Sequence, residues 1–296
     1  MRSYTSEQIK FIKAFKAKGF VWSFIATKFE EKYKVKVSGD AMRFAVARRS
    51  NKPANKPQPR GKENNGVILC ISDPHAPYMH QDTVAFLAAV KKKYNPTRVV
   101  CLGDERDGHA ESYHESNPDL PSAGDELDLA IQQLKPLYKL FPVVDVLDSN
   151  HGSLAVRKAQ TAGISRKHLQ SYRDVLGAPE GWEWHMDLLL DLPGGGKVYF
   201  HHGLCADVLK LVALRGVSAV QGHYHTTFKI GYIANPQTLL WGMQVGCSID
   251  AKSMAFAYGR NTLQRPIVGH GIIINGLPKL LPMVLNSDGR WNKIVP

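Results

Sequence analysis

Asp73-Pro74-His75, Gly103-Asp104, Asn150-His151, His202 and Gly222-His223-Tyr224-His225 are spread over the middle of a 296-residue chain. Together they hold enough carboxylate, imidazole and amide groups for a pair of metal ions. Two divalent cations roughly 3.5–4 Å apart need one bridging carboxylate, and open positions for water and a phosphoryl oxygen. The chemistry expected of such a pair is phosphoester hydrolysis, and Asp104 is the candidate bridge. A mixed nitrogen and oxygen shell without thiolates suits manganese, iron or zinc, whereas an all-oxygen shell would suit magnesium or calcium. Two divalent metal ions, manganese first and iron or zinc as alternatives, are therefore the expected cofactors. A lone histidine or a lone Gly-Asp pair occurs by chance in many chains, so the weight rests on the ordered conjunction.

Each of these pieces follows a short apolar, β-branched run. Val67-Ile68-Leu69-Cys70-Ile71, Arg98-Val99-Val100-Cys101-Leu102 and Val143-Val144-Asp145-Val146-Leu147 read as buried strands. Lys197-Val198-Tyr199-Phe200 leads into His201-His202-Gly203, and Val217-Ser218-Ala219-Val220 leads into Gly222-His223. Ligands on loops after buried strands converge at one sheet edge. Alternation along a strand points His201 and His202 to opposite sides, and His202, next to Gly203, is taken as the ligand.

The order of these motifs resembles the calcineurin-like metallophosphoesterase family, whose pattern runs Asp-x-His, Gly-Asp-x-x-Asp, Gly-Asn-His, His-Gly and Gly-His-x-His. The resemblance covers roughly residues 66 to 275. It implies that Asp73, His75, Asp104 and His225 hold one metal and that Asp104, Asn150, His202 and His223 hold the other. It also implies that His151 faces the leaving group and that Asp107 orients His151. Two positions depart from the pattern. Ser149 stands where the family usually has glycine, and Gly108-His109 follows Asp107 where the family's protein phosphatases carry arginine, so specificity for phosphoserine or phosphothreonine is not implied.

The mechanism expected from this set is a two-metal activated hydroxide attacking phosphorus in line. His151 would give its proton to the departing oxygen, held oriented and protonated by the Asp107 carboxylate. His109 follows Asp107 closely enough to reach the same pocket, whereas His114 and His185 fall in connecting segments.

The net charge of +12 belongs to one end of the chain. Residues 1–62 hold 16 of the 38 Lys and Arg but only 4 of the 26 Asp and Glu, so the remaining chain is balanced. In that basic segment Thr5-Ser6-Glu7-Gln8 reads as a capping box ahead of Ile9, Phe11, Ile12 and Phe15 at helical spacing, with Gly19 ending the helix. Trp22, Phe24, Ile25 and Phe29 mark a second helix. Ser38 caps a third that carries Ala41, Phe44 and Ala45 inside and Arg43, Arg48 and Arg49 outside. Three short helices of this kind resemble a helix-turn-helix domain. Asp40-Ala41-Met42-Arg43 would then lie nearest the bases, and Arg48, Arg49 and Lys52 against the backbone. A basic module for protein interaction, or a solvated face, is the alternative.

The chain is expected to divide into a three-helix nucleic-acid-binding domain over residues 1–49, a basic proline-rich linker over 50–65 and a catalytic domain over 66–296. The fold class is α/β, a metallophosphoesterase-type sandwich of two mixed β-sheets flanked by helices, preceded by the small all-α domain. Within the catalytic part, Trp182-Glu183-Trp184 followed by Leu188 to Leu190 and Gly194-Gly195-Gly196 suggests a hairpin leading to His201. Leu239 to Val245 and Ile272-Ile273-Ile274 suggest strands completing a second sheet. The basic excursion after Asn150-His151, with Arg157, Lys158, Arg166, Lys167 and Arg173, could receive a nucleic acid backbone, or could be a solvated helix face.

No uninterrupted run approaches the roughly 20 apolar residues of a membrane span, and a cytoplasmic location is expected. Cys70, Cys101, Cys205 and Cys247 lack Cys-x-x-Cys spacing and read as reduced, buried thiols. Tethering a nucleic-acid-binding head raises the local concentration of phosphodiester at the metals. The expected function is a metal-dependent phosphodiesterase acting on nucleic acid, DNA first, with nucleic acid as partner and no membrane or protein partner. The alternatives are a phosphatase for nucleotides or nucleic acid ends, and a DNA-binding regulator with a relic hydrolase domain.

Overall fold

A computed structural model describes residues 4–37, 66–113, 117–253 and 264–296. The third basic helix, the linker, and the expected nucleic-acid contacts Arg43, Arg48, Arg49 and Lys52 lie outside the described residues. The chain forms two compact units, Met1–Gln58 and Pro59–Pro296.

In the first unit the capping box is formed. Thr5 Oγ1 accepts from the Gln8 amide at 3.2 Å, and Gln8 Oε1 accepts from the Thr5 amide at 2.9 Å. Two of the four N–H groups that a helix start leaves without partners inside the helix, or just ahead of it, are so satisfied. The helix Ser6–Ala17 packs on the helix Trp22–Tyr33 through Ile9, Ile12, Ile25 and Phe29. Phe20 and Phe24 stack at 4.8 Å on the outside.

The second unit is built on two mixed sheets. Its strands are β1 Val67–Ile71, β2 Arg98–Cys101, β3 Val144–Leu147, β4 Trp182–His185, β5 Leu188–Asp191, β6 Lys197–His201, β7 Ser218–Gln221, β8 Phe228–Ala234, β9 Leu239–Val245, β10 Gly269–Ile274 and β11 Leu277–Pro282. The first sheet runs β11-β10-β1-β2-β3-β4 and the second β5-β6-β7-β9-β8. Strands β1 to β4 are parallel, as are β6, β7 and β9, and β10, β11, β5 and β8 pair antiparallel. Helices cover both outer faces, which is the expected α/β sandwich.

The continuous apolar runs are explained by burial on both sides. On β1, Ile68 and Cys70 face the second sheet, where they meet Val198 and Phe200 of β6 and Met243 and Val245 of β9. Leu69 and Ile71 face the other way, toward the helices Thr83–Tyr94 and Ala123–Leu140. On the far side, the helix Val208–Arg215 covers Tyr199 and Ala219. Fully burying such a side chain is worth about 1.5–3 kcal/mol, so a one-residue slip of β1, exchanging its two faces, is strongly disfavoured. Trp182 is fully buried and donates its indole N–H to the Phe141 carbonyl at 2.8 Å.

Two expectations about strand pairing need correction. The hairpin leading to His201 forms between Leu188–Asp191 and Lys197–His201, but the run Trp182–His185, expected with it, lies outside it. β4 pairs parallel with β3 in the first sheet, and β5 turns through Gly194 and Gly195 to pair with β6 in the second. The run Ile272-Ile273-Ile274 does not complete the second sheet either, because β10 lies in the first sheet, antiparallel to β1 with Val67 opposite Ile274.

Candidate metal centre

Parallel strands place their carboxyl ends at one edge, and the loops that follow β1, β2 and β3 carry Asp73, Asp104 and Asn150 to that edge. Loops after β6 and β7 bring His202 and His223 from the second sheet. The loops are stitched to one another by backbone bonds. His75 N–H donates to the Asp104 carbonyl at 2.8 Å, Gly222 N–H to the His202 carbonyl at 2.8 Å and Ser248 N–H to the Asp73 carbonyl at 2.9 Å. Three side chains reach the centre from left-handed backbone, His75 at φ 49°, Asp104 at φ 49° and His223 at φ 66°. Such conformations cost of order 1–3 kcal/mol each and persist only where the surroundings over-determine them. Gly103, at φ 101°, has no room for a side chain, since a Cβ would lie 2.7 Å from Ser149 Cβ and 2.8 Å from the Leu147 carbonyl. At Gly222 a Cβ would overlap Asp73 Oδ1.

Ligand atoms of Asp73, His75, Asp104 and His225 lie within 4.8 Å of one another, as do those of Asp104, His202 and His223. The two groups share Asp104. Asp104 Oδ2 is 3.4 Å from His75 Nε2 and 3.2 Å from His202 Nε2. His75 Nε2 is 3.1 Å from His225 Nε2, which is 3.3 Å from Asp73 Oδ2. His202 Nε2 is 2.8 Å from Asn150 Oδ1 and 3.2 Å from His223 Nδ1. All seven residues proposed from the sequence as ligands are thus brought together.

Tautomers follow from the other ring nitrogens. His202 Nδ1 is 2.7 Å from the Leu102 carbonyl, which only accepts, so that nitrogen carries the hydrogen and Nε2 of the neutral ring carries a lone pair. His75 Nδ1 is 2.7 Å from the Asp107 carboxylate, with the same consequence. Each neutral Nε2 then turns a lone pair toward carboxylate or amide oxygens that offer only lone pairs of their own. A cation satisfies this arrangement, and the back-side partners are those that hold metal-binding imidazoles in place elsewhere. Asp73 Oδ1 is buried with no hydrogen-bond partner, which adds another donor atom free for a cation. The donor set therefore fits divalent metal ions.

The electrostatics agree. Burial alone would lower His75 and His202, but the Asp104 and Asp107 carboxylates outweigh it at His75, and Asp104 outweighs it at His202, lifting their pKa values to about 10 and about 9. Burial alone would raise Asp104, but the His202 and His75 imidazoles hold it well below the usual carboxylate range. Without metal, the centre draws protons into the positions a cation would take.

The expected relation between Asp107 and His151 is found in altered form. The Asp107 carboxylate bonds His75, and the same oxygen is 3.9 Å from His151 Nδ1. His151 Nδ1 is bonded instead to the Asp107 backbone carbonyl, and the His151 amide donates to Asp104 Oδ1 at 3.1 Å. Burial, opposed by the Asp104 charge, leaves the His151 pKa below its usual value. Asp107 thus positions His151 through its main chain and does not hold it protonated.

Ser149 stands where the resembled pattern usually has glycine. It is buried, and its Oγ accepts from the Asp104 amide at 2.9 Å and the Gly152 amide at 3.0 Å. It ties the loop of the shared carboxylate to the loop of Asn150 and His151, which glycine could not do. His109 does not join the centre. Its Nε2 accepts from the Asn117 amide at 2.9 Å, and its own amide donates to the buried Glu126 carboxylate. His201 accepts from the Gly203 amide, and His185 pairs with Asp145 at 3.0 Å. The cysteines are free thiols, with Cys70, Cys101 and Cys247 buried and Cys205 partly so. No helix among the described residues is long and apolar enough to cross a membrane.

What the fold and the centre define is a two-sheet α/β sandwich carrying a carboxylate and imidazole cluster at the strand ends. No model of a known protein family matches the chain, and no curated protein matches it in sequence. Solved structures similar to it include Vps29 from Chaetomium thermophilum, at 11% identity over 79% of this chain and 96% of that chain, with a TM-score of 0.42. Vacuolar protein sorting 29 from Cryptosporidium parvum has 14% identity over 79% and 98%, with a TM-score of 0.41. YfcE, a phosphoesterase from E. coli, has 12% identity over 76% and 96%, with a TM-score of 0.36.

Proposed function

We propose that the chain is a metal-dependent phosphodiesterase that hydrolyses nucleic acid, DNA in the first place. The observation that carries this reading is the shared Asp104 carboxylate between two converging ligand groups, with the His75 and His202 lone pairs fixed toward it by Asp107 and Leu102. Asp73, His75, Asp104 and His225 would hold one divalent ion, and Asp104, Asn150, His202 and His223 the other, with manganese preferred and iron or zinc as alternatives. Bound there, the two ions supply Lewis acidity toward the phosphoryl oxygens and a water acidified to near neutrality. Asp104 would offer its carboxylate to both ions. His151, half-buried and fixed by the Asp107 carbonyl, gives a proton to the departing oxygen. Its lowered pKa leaves fewer molecules protonated at neutral pH and makes each a stronger acid. The basic residues of 1–62, including Arg43, Arg48, Arg49 and Lys52, bring the nucleic acid to this centre.

One observation favours a second reading, a phosphatase for nucleotides or nucleic acid ends. The cavity beside the centre, of about 990 Å³, is of a size that encloses a small ligand. The deciding experiment incubates end-labelled and circular DNA, single- and double-stranded, with manganese and the wild type, Asp104→Ala or His151→Ala. Cleavage by the wild type, lost in both variants, supports the nuclease. Intact DNA with hydrolysis of 4-nitrophenyl phosphate moves the assignment to phosphatase, and neither activity in manganese-loaded protein overturns both.

A further inference from the structure

The cavity next to Asn150, His202 and His223 is walled on its other side by a segment that the metal centre does not use. That segment folds as the helix Leu154–Thr161, the turn Arg166–His168 and the helix Tyr172–Leu176. Each element contributes one arginine to the lining, Arg157, Arg166 and Arg173. We infer that this cavity is the track of a single-stranded polynucleotide on one side of the cleaved phosphate, with the three guanidinium groups gripping successive phosphates. The inference rests on the phosphodiesterase reading and names its substrate form.

Three observations support it. Arg166 and Arg173 are exposed, and their side chains make no hydrogen bond or ion pair among the described residues. These two line the cavity with donor forks unpaired among the described residues, the geometry that phosphate oxygens match. Arg157 is held differently. Its Nη2 donates to the Asn150 carbonyl at 2.7 Å, its Nε to Ser153 Oγ at 3.2 Å, and its guanidinium lies over the Tyr113 ring at 5.3 Å. It is therefore fixed to a proposed metal ligand and joins the track to the centre. The acidic side chains on the lining, Asp148 and Glu183, are outnumbered by the arginines.

The size of the cavity suits a strand entering it. At about 990 Å³ it has room for a short stretch of strand, whereas a double helix could lie only across its mouth. Met186, 75% exposed on the same lining, adds an apolar thioether against which an aromatic base can rest.

The test uses the full chain with manganese and the double substitution Arg166→Gln, Arg173→Gln. On a short single-stranded oligonucleotide, KM should rise on the order of tenfold for each arginine. The plot of log kcat/KM against log salt should become shallower by about 0.7 per arginine removed. On bis(4-nitrophenyl) phosphate, which is too small to reach the arginines, kcat/KM should stay unchanged. An oligonucleotide KM within about twofold of the wild type at an unchanged salt slope overturns the inference, as does an equal loss on both substrates. A duplex whose cleavage shows the same arginine dependence overturns the single-strand assignment. If the wild type cleaves neither substrate, the phosphodiesterase reading fails by itself. The salt slope for binding a fluorescent oligonucleotide, compared between Asp104→Ala and Asp104→Ala carrying also Arg166→Gln and Arg173→Gln, then still decides whether the arginines grip a strand.

Discussion

Replacing Ser149 by alanine should weaken both the fold and the metal centre. Ser149 Oγ is the acceptor for two backbone donors, the Asp104 amide at 2.9 Å and the Gly152 amide at 3.0 Å. Asp104 is 1% exposed, so its amide would be left buried without a partner, at a cost of about 1–3 kcal/mol. Gly152 is only half-buried, and water can replace the lost acceptor there, so its share is about 0.5–1 kcal/mol. The expected loss is about 1.5–4 kcal/mol. Ser149→Gly should lose a further ~0.5–1 kcal/mol through the freedom of the unfolded backbone. Urea unfolding followed by tryptophan fluorescence reads this directly, because Trp182, Trp184, Trp241 and Trp291 all belong to the second unit. Freeing the loop also lets Asp104 and Asn150 drift, and manganese affinity should fall about 10–100-fold, the range for losing a group that orients ligands. A Ser149→Ala protein with stability within about 0.5 kcal/mol of the wild type and unaltered manganese affinity would refute the reasoning.

Gly222→Ala drives a Cβ into Asp73 Oδ1, and manganese titration should show at least tenfold weaker binding with an unchanged circular dichroism spectrum. His270, fully buried, takes the Ser72 amide on Nδ1 at 3.2 Å, and burial lowers its pKa to about 3. Below the unfolded value of about 6.5 the unfolded chain therefore binds a proton that the folded chain refuses, so this contribution is present in full above that pH and is lost as pH falls toward about 3. Between pH 7 and pH 5 it amounts to about 2 kcal/mol, and urea midpoints for His270→Gln should fall less over that interval by this amount. His151→Asn should lower kcat about 10²-fold or more while manganese affinity changes little, as measured by steady-state kinetics beside titration calorimetry. Manganese at about 100 times its Kd should stabilise the wild type by about 2.7 kcal/mol in thermal unfolding, and Asp104→Asn should lose most of that.

The strands that carry the centre were legible because both of their faces are buried, which writes an apolar run into the sequence. Their order fixed the loops on which Asp73, Asp104, Asn150, His202 and His223 sit. The partner of each strand was less legible. β10 reads like any buried run, and its place beside β1 depends on Val67 meeting Ile274, a pairing with no local trace. β4 and β5 are separated only by Met186 and Asp187 yet enter different sheets, so nearness in sequence grouped β4 with a hairpin that β5 forms with β6 alone. Ser149 was passed over because its role is to accept from amides contributed by two different loops, one of them 45 residues away. The Asp107 carboxylate went to His75 because the backbone carbonyl of the same residue already serves His151, and residue types do not report main-chain acceptors. Left-handed backbone at His75 and His223 was likewise unreadable, since neither is a glycine.

The centre draws its side chains from both sheets, and the Asp73 carboxylate accepts from the amide of His223, 150 positions further along the chain. During synthesis, therefore, no early portion of the polypeptide possesses the complete donor set. The first sheet itself waits for β10 and β11, which are made later still. A ribosome that stalls midway, or a protease that cuts in the Gly194-Gly195-Gly196 turn, leaves a fragment with Asp73, Asp104 and Asn150 but without His202, His223 and His225. The donor set is complete only once strands of both sheets have been made.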